Sequence, residues 1–186
     1  TSTAEVASTF FEQVVLNGIE SELSEKERMI LLHNRVMGDI STIFRQIACF
    51  NFELELHQKI RKEGQLSKEE MASLLRKHLE SYMGDSISVT DEDGYLFVSW
   101  SHIRRFFYVY SYAYGQIISR ALFENWQKDN KYIEKIEQFL SAGGSMSPEE
   151  IFKKAGINTL DPKFFQSGLK SIEKDIEKLE KFANNL

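Results

Sequence analysis

The 186-residue sequence contains little of what disulfide-stapled, strand-rich or membrane-spanning proteins require. Its single cysteine, Cys49, excludes an internal disulfide framework and a zinc cluster of cysteines, and its apolar neighbours predict a buried, inert thiol. Two prolines and ten glycines are few chain-breaking residues for this length, which favours long helices. No run of 18 apolar residues is present, so the sequence predicts no membrane span. We therefore expect a globular, cytoplasmic protein.

The charge balance points away from nucleic acid as a partner. Lys and Arg total 23 residues against 28 Asp and Glu, which gives a formal net charge of -5. Because nucleic-acid-binding domains usually present a basic face, we expect no nucleic-acid partner. The chain begins at Thr1 rather than at methionine and enters a helical pattern at once. We therefore expect it to be a segment of a longer protein.

Apolar residues recur at helical spacing along most of the chain, which predicts a mainly α, multi-helical array. The exception lies near residues 86–99, where the turn DEDG separates SISV from YLFVSW and predicts one small β-hairpin. Since neither a linker nor a repeat is apparent, we expect residues 1–186 to form a single helical unit. The predicted helices cover residues 3–16, 24–62, 67–84, 131–141, 147–156 and 161 onward, with a tyrosine-rich helix that follows Trp100 and ends near residue 128.

Two of these helices carry clear start signals. Ser67 and Glu70 have the spacing of a capping box, in which each side chain satisfies the backbone N–H of the other residue. Ser147 is followed by proline at the first helical position and then by two glutamates. We therefore expect helices to begin directly after Ser67 and after Ser147.

Two carboxylates lie two helical turns apart in the first predicted helix. Glu5 and Glu12 are seven residues apart, so they share roughly one helix face. Both can simply be exposed surface acids. Phe10 and Phe11 adjoin them, however, and no basic residue stands at the spacing of an ordinary intrahelical ion pair. A carboxylate that faces an apolar interior needs a compensating partner, and a metal ion is one such partner.

Four of the seven tyrosines fall within seven positions of the segment HIRRFFYVYSYAYG, which begins at His102. On a helix, Tyr108 and Tyr112 share one face, whereas Tyr110 and Tyr114 share another. We expect one pair to line a pocket and the other pair to pack or remain in solvent. A neutral phenol is a good hydrogen-bond donor to a developing oxyanion. His102 itself can be a core side chain, a helix cap or a pocket residue.

Three segments, AEVASTFFE, HIRRFFYVYSYAYG and SAGGSMSPEEIFKKAGIN, resemble in order parts of the oligoendopeptidase F-like zinc peptidases of the thimet oligopeptidase family. The likeness extends over nearly the whole chain. It implies a largely helical body around a deep channel that admits short peptides as substrates. It also implies one Zn²⁺ ion, held by two histidines of an HExxH helix and by a glutamate further along the chain, with the HExxH glutamate as general base.

The resemblance also implies roles for particular residues. Glu5 matches the downstream glutamate that ligates zinc, and Glu12 matches an acid that orients a histidine ligand. His102 matches a histidine that contacts the substrate. The register of the phenols near the scissile carbonyl stays open in this comparison. The candidate catalytic phenols are therefore Tyr108, Tyr110 and Tyr112.

The sequence departs from that family in one decisive respect. No HExxH occurs in the 186 residues, so two zinc ligands and the general base are missing from the chain. We therefore expect the C-terminal part of a catalytic domain, which alone binds zinc poorly and cleaves nothing. Such a segment would expose apolar surface through which it can dimerise. The alternative is a non-catalytic helical scaffold, in which the acids are solvated, the tyrosines form a core network and His102 caps a helix.

Overall fold

The structure, a computed structural model, describes residues 3–85 and 87–184. Within these ranges the chain is built from α-helices joined by short 3-10 and π segments, and it contains no strand. The predicted mainly α, multi-helical fold is therefore confirmed. The helices are α1 (Ala4–Ile19), α2 (Glu25–Asp39), α3 (Arg45–Glu63), α4 (Lys68–Met83), α5 (Leu96–Ser99), α6 (Tyr110–Lys128), α7 (Ile133–Ala142), α8 (Pro148–Lys154) and α9 (Pro162–Asn184).

The long helix expected over residues 24–62 is helical throughout but changes its winding midway. Helix α2 ends at Asp39, a π-helical segment occupies Ile40–Phe44, and α3 continues from Arg45. A π turn holds more residues per turn than an α turn and so accommodates an extra residue without breaking the helix. Both predicted capping signals are confirmed, since complete capping boxes open α4 at Ser67 and α8 at Ser147.

The β-hairpin predicted near residues 86–99 is wrong. A 3-10 helix spans Glu92–Tyr95, and the four-residue helix α5 follows it directly. The backbone N–H and the hydroxyl of Thr90 both donate hydrogen bonds to the Asp93 carboxylate. Acidic residues placed after a threonine favour the first turn of a helix, and this preference prevails over the strand-like alternation of YLFVSW. Ser86, at the start of the predicted hairpin, lies outside the described residues.

The tyrosine-rich helix begins later than the sequence predicts. Ser101–Arg105 form a 3-10 helix, and α6 begins only at Tyr110. Between them, Phe106 and Phe107 have φ values of 44° and 57°. This left-handed backbone interrupts the right-handed winding and makes a sharp turn. As a consequence, Tyr108 precedes α6 instead of lying on it.

The described residues form two compact units. Unit 1 contains the residues up to Asp39 and those from Tyr114 onward, whereas unit 2 is Ile40–Ala113. Helix α6 therefore contributes its first turn to unit 2 and the remainder to unit 1. The expectation that residues 1–186 act as a single part of a larger catalytic domain stays a prediction.

In unit 1, helices α1, α6, α7 and α8 bury a common apolar core. Phe139 of α7 and Phe152 of α8 stack with their ring centroids 4.6 Å apart. Helix α9 approaches α6 closely at Gly168, where a side-chain carbon would collide with the Ile117 carbonyl oxygen. The buried residues of this core are Val6, Phe10, Ile118, Leu122, Ile136, Phe139, Ile151, Phe152, Ala155 and Ile157.

In unit 2, the core lies where α3 and α4 pack against each other and against α5. The ring of Phe97 from α5 lies 6.2 Å from that of Phe52 on α3. Gly94 sits directly on the Ala72 backbone of α4, where a side-chain carbon would collide with the carbonyl oxygen. The buried residues are Phe52, Leu56, Leu66, Leu74, Leu75, Leu79 and Val89.

Candidate functional site

Three of the predicted site residues come together in unit 2. The hydroxyl of Tyr112 lies 2.9 Å from Nε2 of His102, within hydrogen-bond distance. The rings of His102 and Tyr108 are nearly parallel, at 13°, with centroids 5.9 Å apart. The rings of Tyr108 and Tyr112 meet edge to face at 5.5 Å. We refer to His102, Tyr108 and Tyr112 as the aromatic cluster; all three are half-buried, so the cluster has both packed support and access to solvent.

The hydrogen bond within the cluster has two chemical forms, set by the tautomer of His102. If Nδ1 carries the imidazole proton, the Tyr112 hydroxyl donates to Nε2. If Nε2 carries the proton, the imidazole donates to the Tyr112 oxygen, and the phenolic O–H can be offered to a third group. Only the second form lets Tyr112 donate to an oxyanion while His102 holds it in place.

The turn at Phe106 and Phe107 is what assembles this cluster. His102 lies in the 3-10 helix that precedes the turn, whereas Tyr108 and Tyr112 follow it. The Arg105 guanidinium lies 5.8 Å from the centroid of the Tyr108 ring, which places a positive charge beside the phenols. Residues that are six and ten positions from His102 in sequence thus lie against its imidazole.

Tyr110 and Tyr114 each pack against a phenylalanine ring. The Tyr110 side chain is 46% exposed, and its ring meets the edge of Phe50 on α3 at 6.5 Å. In unit 1, the Tyr114 ring packs against Phe165 of α9 at 6.1 Å. Tyr108 and Tyr112 both contact His102, although Tyr108 precedes α6 and so does not share a helical face with Tyr112.

Glu5 occupies a half-buried position on α1, in unit 1. A Cβ atom at Gly115 of α6 would lie only 2.8 Å from the Cβ of Glu5, closer than real side chains approach. Gly115 thus lets α6 approach α1 at the level of Glu5, and a larger residue would displace the acid. Glu12, two turns further along α1, is exposed. The metal-related roles of both acids stay predictions.

Two further properties bear on the site. In the part of the chain that the structure describes, no three His, Cys, Asp or Glu side chains are grouped closely enough to hold a metal ion. Among the same residues, no helix is both long enough and apolar enough to cross a bilayer.

A buried polar network in unit 1 was not predicted from the sequence. The Arg120 guanidinium bonds Asp39 and donates from Nη1 to Asp175 at 2.6 Å, while Arg35 donates to the other Asp175 oxygen at 2.6 Å. Gln116 donates to Asp39 at 2.6 Å. Burial raises the pKa of Asp39, although Arg120 opposes that shift. The network ties α2, α6 and α9 together, and the only sequence signal for it was one arginine inside the apolar segment IISRALF.

Glu53 of α3 is the second residue that the sequence reasoning missed. It is fully buried, and its Oε1 accepts a hydrogen bond from the backbone N–H of Phe107 at 2.8 Å. The rings of Phe50 and His57 lie 5.6 Å and 5.2 Å from the Phe107 ring. An acid within the apolar segment FELEL only weakly indicates a buried carboxylate. Nothing in the sequence indicates that its partner is a backbone group 54 residues away.

Comparison with known proteins places the chain in a family. Residues 1–171 match Peptidase family M3. The chain belongs to this family. It is 31% identical over 185 residues to oligopeptidase PepF of Bacillus subtilis (strain 168), and 31% identical over 187 residues to the chromosomal oligoendopeptidase F of Lactococcus lactis subsp. cremoris. The predicted oligoendopeptidase F-like character is therefore confirmed.

The shared region is only a part of these M3 relatives. The matched segment covers 95% of this chain but 27% of the Bacillus protein, and 97% of this chain but 30% of the Lactococcus protein. The crystal structure of oligoendopeptidase-F from Enterococcus faecium superposes on the whole chain with a TM-score of 0.88 at 24% identity, over 36% of its own length. That likeness supports the fold described above. The chain thus spans less than a third of the length of the two M3 relatives.

Proposed function

We propose that this chain acts as part of a zinc-dependent endopeptidase that hydrolyses short peptides. The observation that carries the proposal is the aromatic cluster: in a member of Peptidase family M3, an imidazole is hydrogen-bonded to a phenol that can face a reacting carbonyl. Membership of the family supports peptide hydrolysis. The zinc dependence and the roles of individual residues are part of the proposal. A cytoplasmic location and the absence of a nucleic-acid partner stay predictions from composition.

The residues present fit one position of a zinc site. Glu5 offers a half-buried carboxylate, a common oxygen ligand of zinc, and the fixed approach of α6 at Gly115 limits its movement. Glu12 would orient a histidine ligand. The remaining ligands and the general base would come from an HExxH helix outside this chain. Bound zinc would supply polarisation of the scissile carbonyl and activation of the attacking water.

Within this chain, the aromatic cluster would act on the substrate. Tyr112, positioned by its bond to His102, would donate its phenolic proton in a hydrogen bond to the oxyanion that develops as water attacks the carbonyl. Tyr108 stacks on His102 and would help to orient the imidazole. Arg105 would add a favourable positive potential nearby. An oxyanion donor of this kind accelerates the reaction by about 100- to 1000-fold.

Replacing Tyr112 with phenylalanine tests the proposal. In the full-length protein, we expect Tyr112→Phe to lower kcat by about 100-fold with little change in KM, because the lost bond forms mainly in the transition state. The measurement is steady-state hydrolysis of a quenched fluorescent oligopeptide. Tyr95→Phe, which removes a hydroxyl from another half-buried tyrosine of unit 2, is the matched control and should leave kcat unchanged.

Other outcomes of this experiment are equally informative. Tyr108→Phe and Tyr110→Phe, measured alongside, identify the phenol that acts on the substrate; a large fall in kcat for Tyr110→Phe alone would move the role to that residue. If Tyr112→Phe instead lowers the melting temperature and leaves kcat intact, the tyrosines form a structural network. The helical scaffold would then be the better description of this chain.

A further inference from the structure

The two phenylalanines between the 3-10 helix and α6 have a backbone conformation that bulky residues rarely adopt. Both Phe106 and Phe107 have positive φ values, and Phe106 leaves its ring 71% exposed. Two consecutive bulky residues in this region are unfavourable unless the surrounding structure holds them there. Strained backbone of this kind is concentrated at functional sites. The contacts that stabilise this turn are therefore candidates for a functional role.

The group that holds the turn is the carboxylate of Glu53. Its Oε1 accepts the Phe107 N–H, whereas its Oε2 is buried and has no hydrogen-bond partner among the described residues. The nearest cation candidate, Nε2 of His57, lies 4.0 Å from Oε1. A fully buried carboxylate with so few partners is expensive to retain in a helix that packs in a core.

We propose that Glu53 is a positioning residue for the aromatic cluster. Its carboxylate accepts the Phe107 N–H and so stabilises the left-handed turn. The conformation of this turn determines the positions of Tyr108 and Tyr112 relative to His102. This role rests on the proposed function, because it requires the aromatic cluster to act on the substrate. Glu53 acts through the backbone, at the Phe107 N–H.

The kinetic test uses two substitutions of Glu53 in the full-length protein. Glu53→Leu removes the acceptor but keeps an apolar side chain of similar size, and we expect kcat to fall by about 10- to 100-fold with KM within about threefold, since a displacement near 1 Å can cost that much. Glu53→Gln keeps an acceptor oxygen for the Phe107 N–H and should retain kcat within about fivefold. Leu79→Ala, a cavity in the same unit, is the matched destabilised control and should lower the melting temperature without lowering kcat.

A rescue experiment separates the backbone mechanism from a general loss of stability. Glycine adopts positive φ without strain, so Phe106→Gly should favour the turn even when the Glu53 anchor is absent. The Phe106 ring is mostly exposed, so its removal costs little packing. We expect the double variant Glu53→Leu/Phe106→Gly to recover at least about tenfold of the kcat lost in Glu53→Leu. A merely structural role for Glu53 predicts no such recovery.

A spectroscopic readout makes the two proposals separable. In the 186-residue chain, Glu53→Leu should speed exchange of the Phe107 amide hydrogen by at least about tenfold and shift the ¹⁵N resonance of His102 Nε2, whereas Glu53→Gln should change both little. If wild-type protein is active and Glu53→Leu keeps full kcat, the positioning role is refuted and the proposed function stands. If full-length wild-type protein hydrolyses no peptide, the proposed function is refuted, whereas the amide exchange and the His102 resonance still report whether Glu53 positions the cluster.

Discussion

Glycine at position 168 sets how closely two helices of unit 1 approach. A methyl group added at this position would overlap with the Ile117 carbonyl oxygen of α6. The obstacle is backbone, which cannot move aside as a flexible side chain can. The last helix can therefore reach its position on α6 only with glycine at this point. The sequence predicts a helix from residue 161 onward but gives no indication of this close contact.

We expect Gly168→Ala to destabilise the protein by about 1–3 kcal/mol, because the added methyl forces α9 away from α6. Gly38→Ala is the matched control. Nothing lies within 4 Å of a Cβ atom placed at Gly38 in α2, so alanine there should stabilise by about 0.5–1 kcal/mol through higher helix propensity. Urea denaturation followed by circular dichroism measures both, and a Gly168→Ala variant as stable as the wild type would contradict the steric argument.

The residues of the candidate site were predictable to different degrees. Helical spacing predicted that Tyr108 and Tyr112 share one face, but Tyr108 precedes α6, so their contact does not come from a shared helical face. The sequence did not predict the contact between the His102 imidazole and these phenols, since that depends on the left-handed turn at Phe106 and Phe107. Non-glycine residues give no sequence signal for positive φ, so a turn of this kind is visible only in the structure.

Among the elements, the helices that start with a capping box were predicted well and the short 3-10 segments were not. A capping box is a local signal of four residues, and both α4 and α8 begin where it predicts. The region of α5 was predicted as part of a β-hairpin and is helical. Besides the local start signal at Thr90, Gly94 approaches the α4 backbone closely, a tertiary contact that no local pattern contains.

The capping boxes predict a pH dependence of stability. The backbone N–H of Ser67 lowers the pKa of Glu70 below its usual value of 4.5, and the hydroxyl of Ser147 lowers the pKa of Glu150 likewise. A carboxyl with a lowered pKa in the folded state stabilises the fold above its unfolded-state pKa. That contribution is lost as the pH falls through the lowered folded-state pKa. The two helix starts should therefore weaken below about pH 4.5.

We expect the double variant Glu70→Gln/Glu150→Gln to show a shallower fall in melting temperature between about pH 5 and pH 3 than the wild type, because the glutamines cannot titrate. The comparison is Glu69→Gln/Glu149→Gln, which makes the same charge change in the same helical turns at positions outside the two capping boxes. Thermal unfolding monitored by circular dichroism across this range provides the measurement. If the melting temperature falls equally steeply with pH in the two double variants, net charge rather than capping causes the loss of stability at low pH.

At the scale of the whole molecule, the chain is similar to one part of its M3 relatives. It matches them along almost its full length, while they extend over more than three times that length. Overall composition predicted the helical class, and three short segments predicted the family. Neither could show how the contacts would be grouped into units, because this depends on long-range packing.

We expect the isolated 186-residue chain to show no peptidase turnover with added zinc, whereas the full-length protein should be active and should lose activity when zinc is chelated. The reason is that the chain holds no HExxH and its described residues hold no group of three metal-binding side chains. Hydrolysis of a fluorogenic peptide and zinc content by atomic emission provide the two measurements. Turnover by the purified isolated chain, with contaminating proteases excluded, would refute this assignment.

Exposed apolar side chains give the dimer prediction a specific surface. Phe11, Val15 and Ile19 follow one another at four-residue spacing on α1 and are 52%, 60% and 39% exposed. A stripe of this kind on a helix is a typical contact surface for another helix. Association of two isolated chains through α1 stays a prediction.

Cys49 gives unit 2 a built-in reporter. It is the only thiol in the chain, it is 3% exposed on α3, and burial raises its pKa to about 11. A maleimide or disulfide reagent at neutral pH should therefore modify it only when α3 and its neighbours separate. The rate of labelling then measures how often this part of the molecule opens, in wild-type protein and without any engineered probe. Glu53 lies one helical turn away on the same helix, so the same thiol can follow how that buried carboxylate alters the motion of its surroundings.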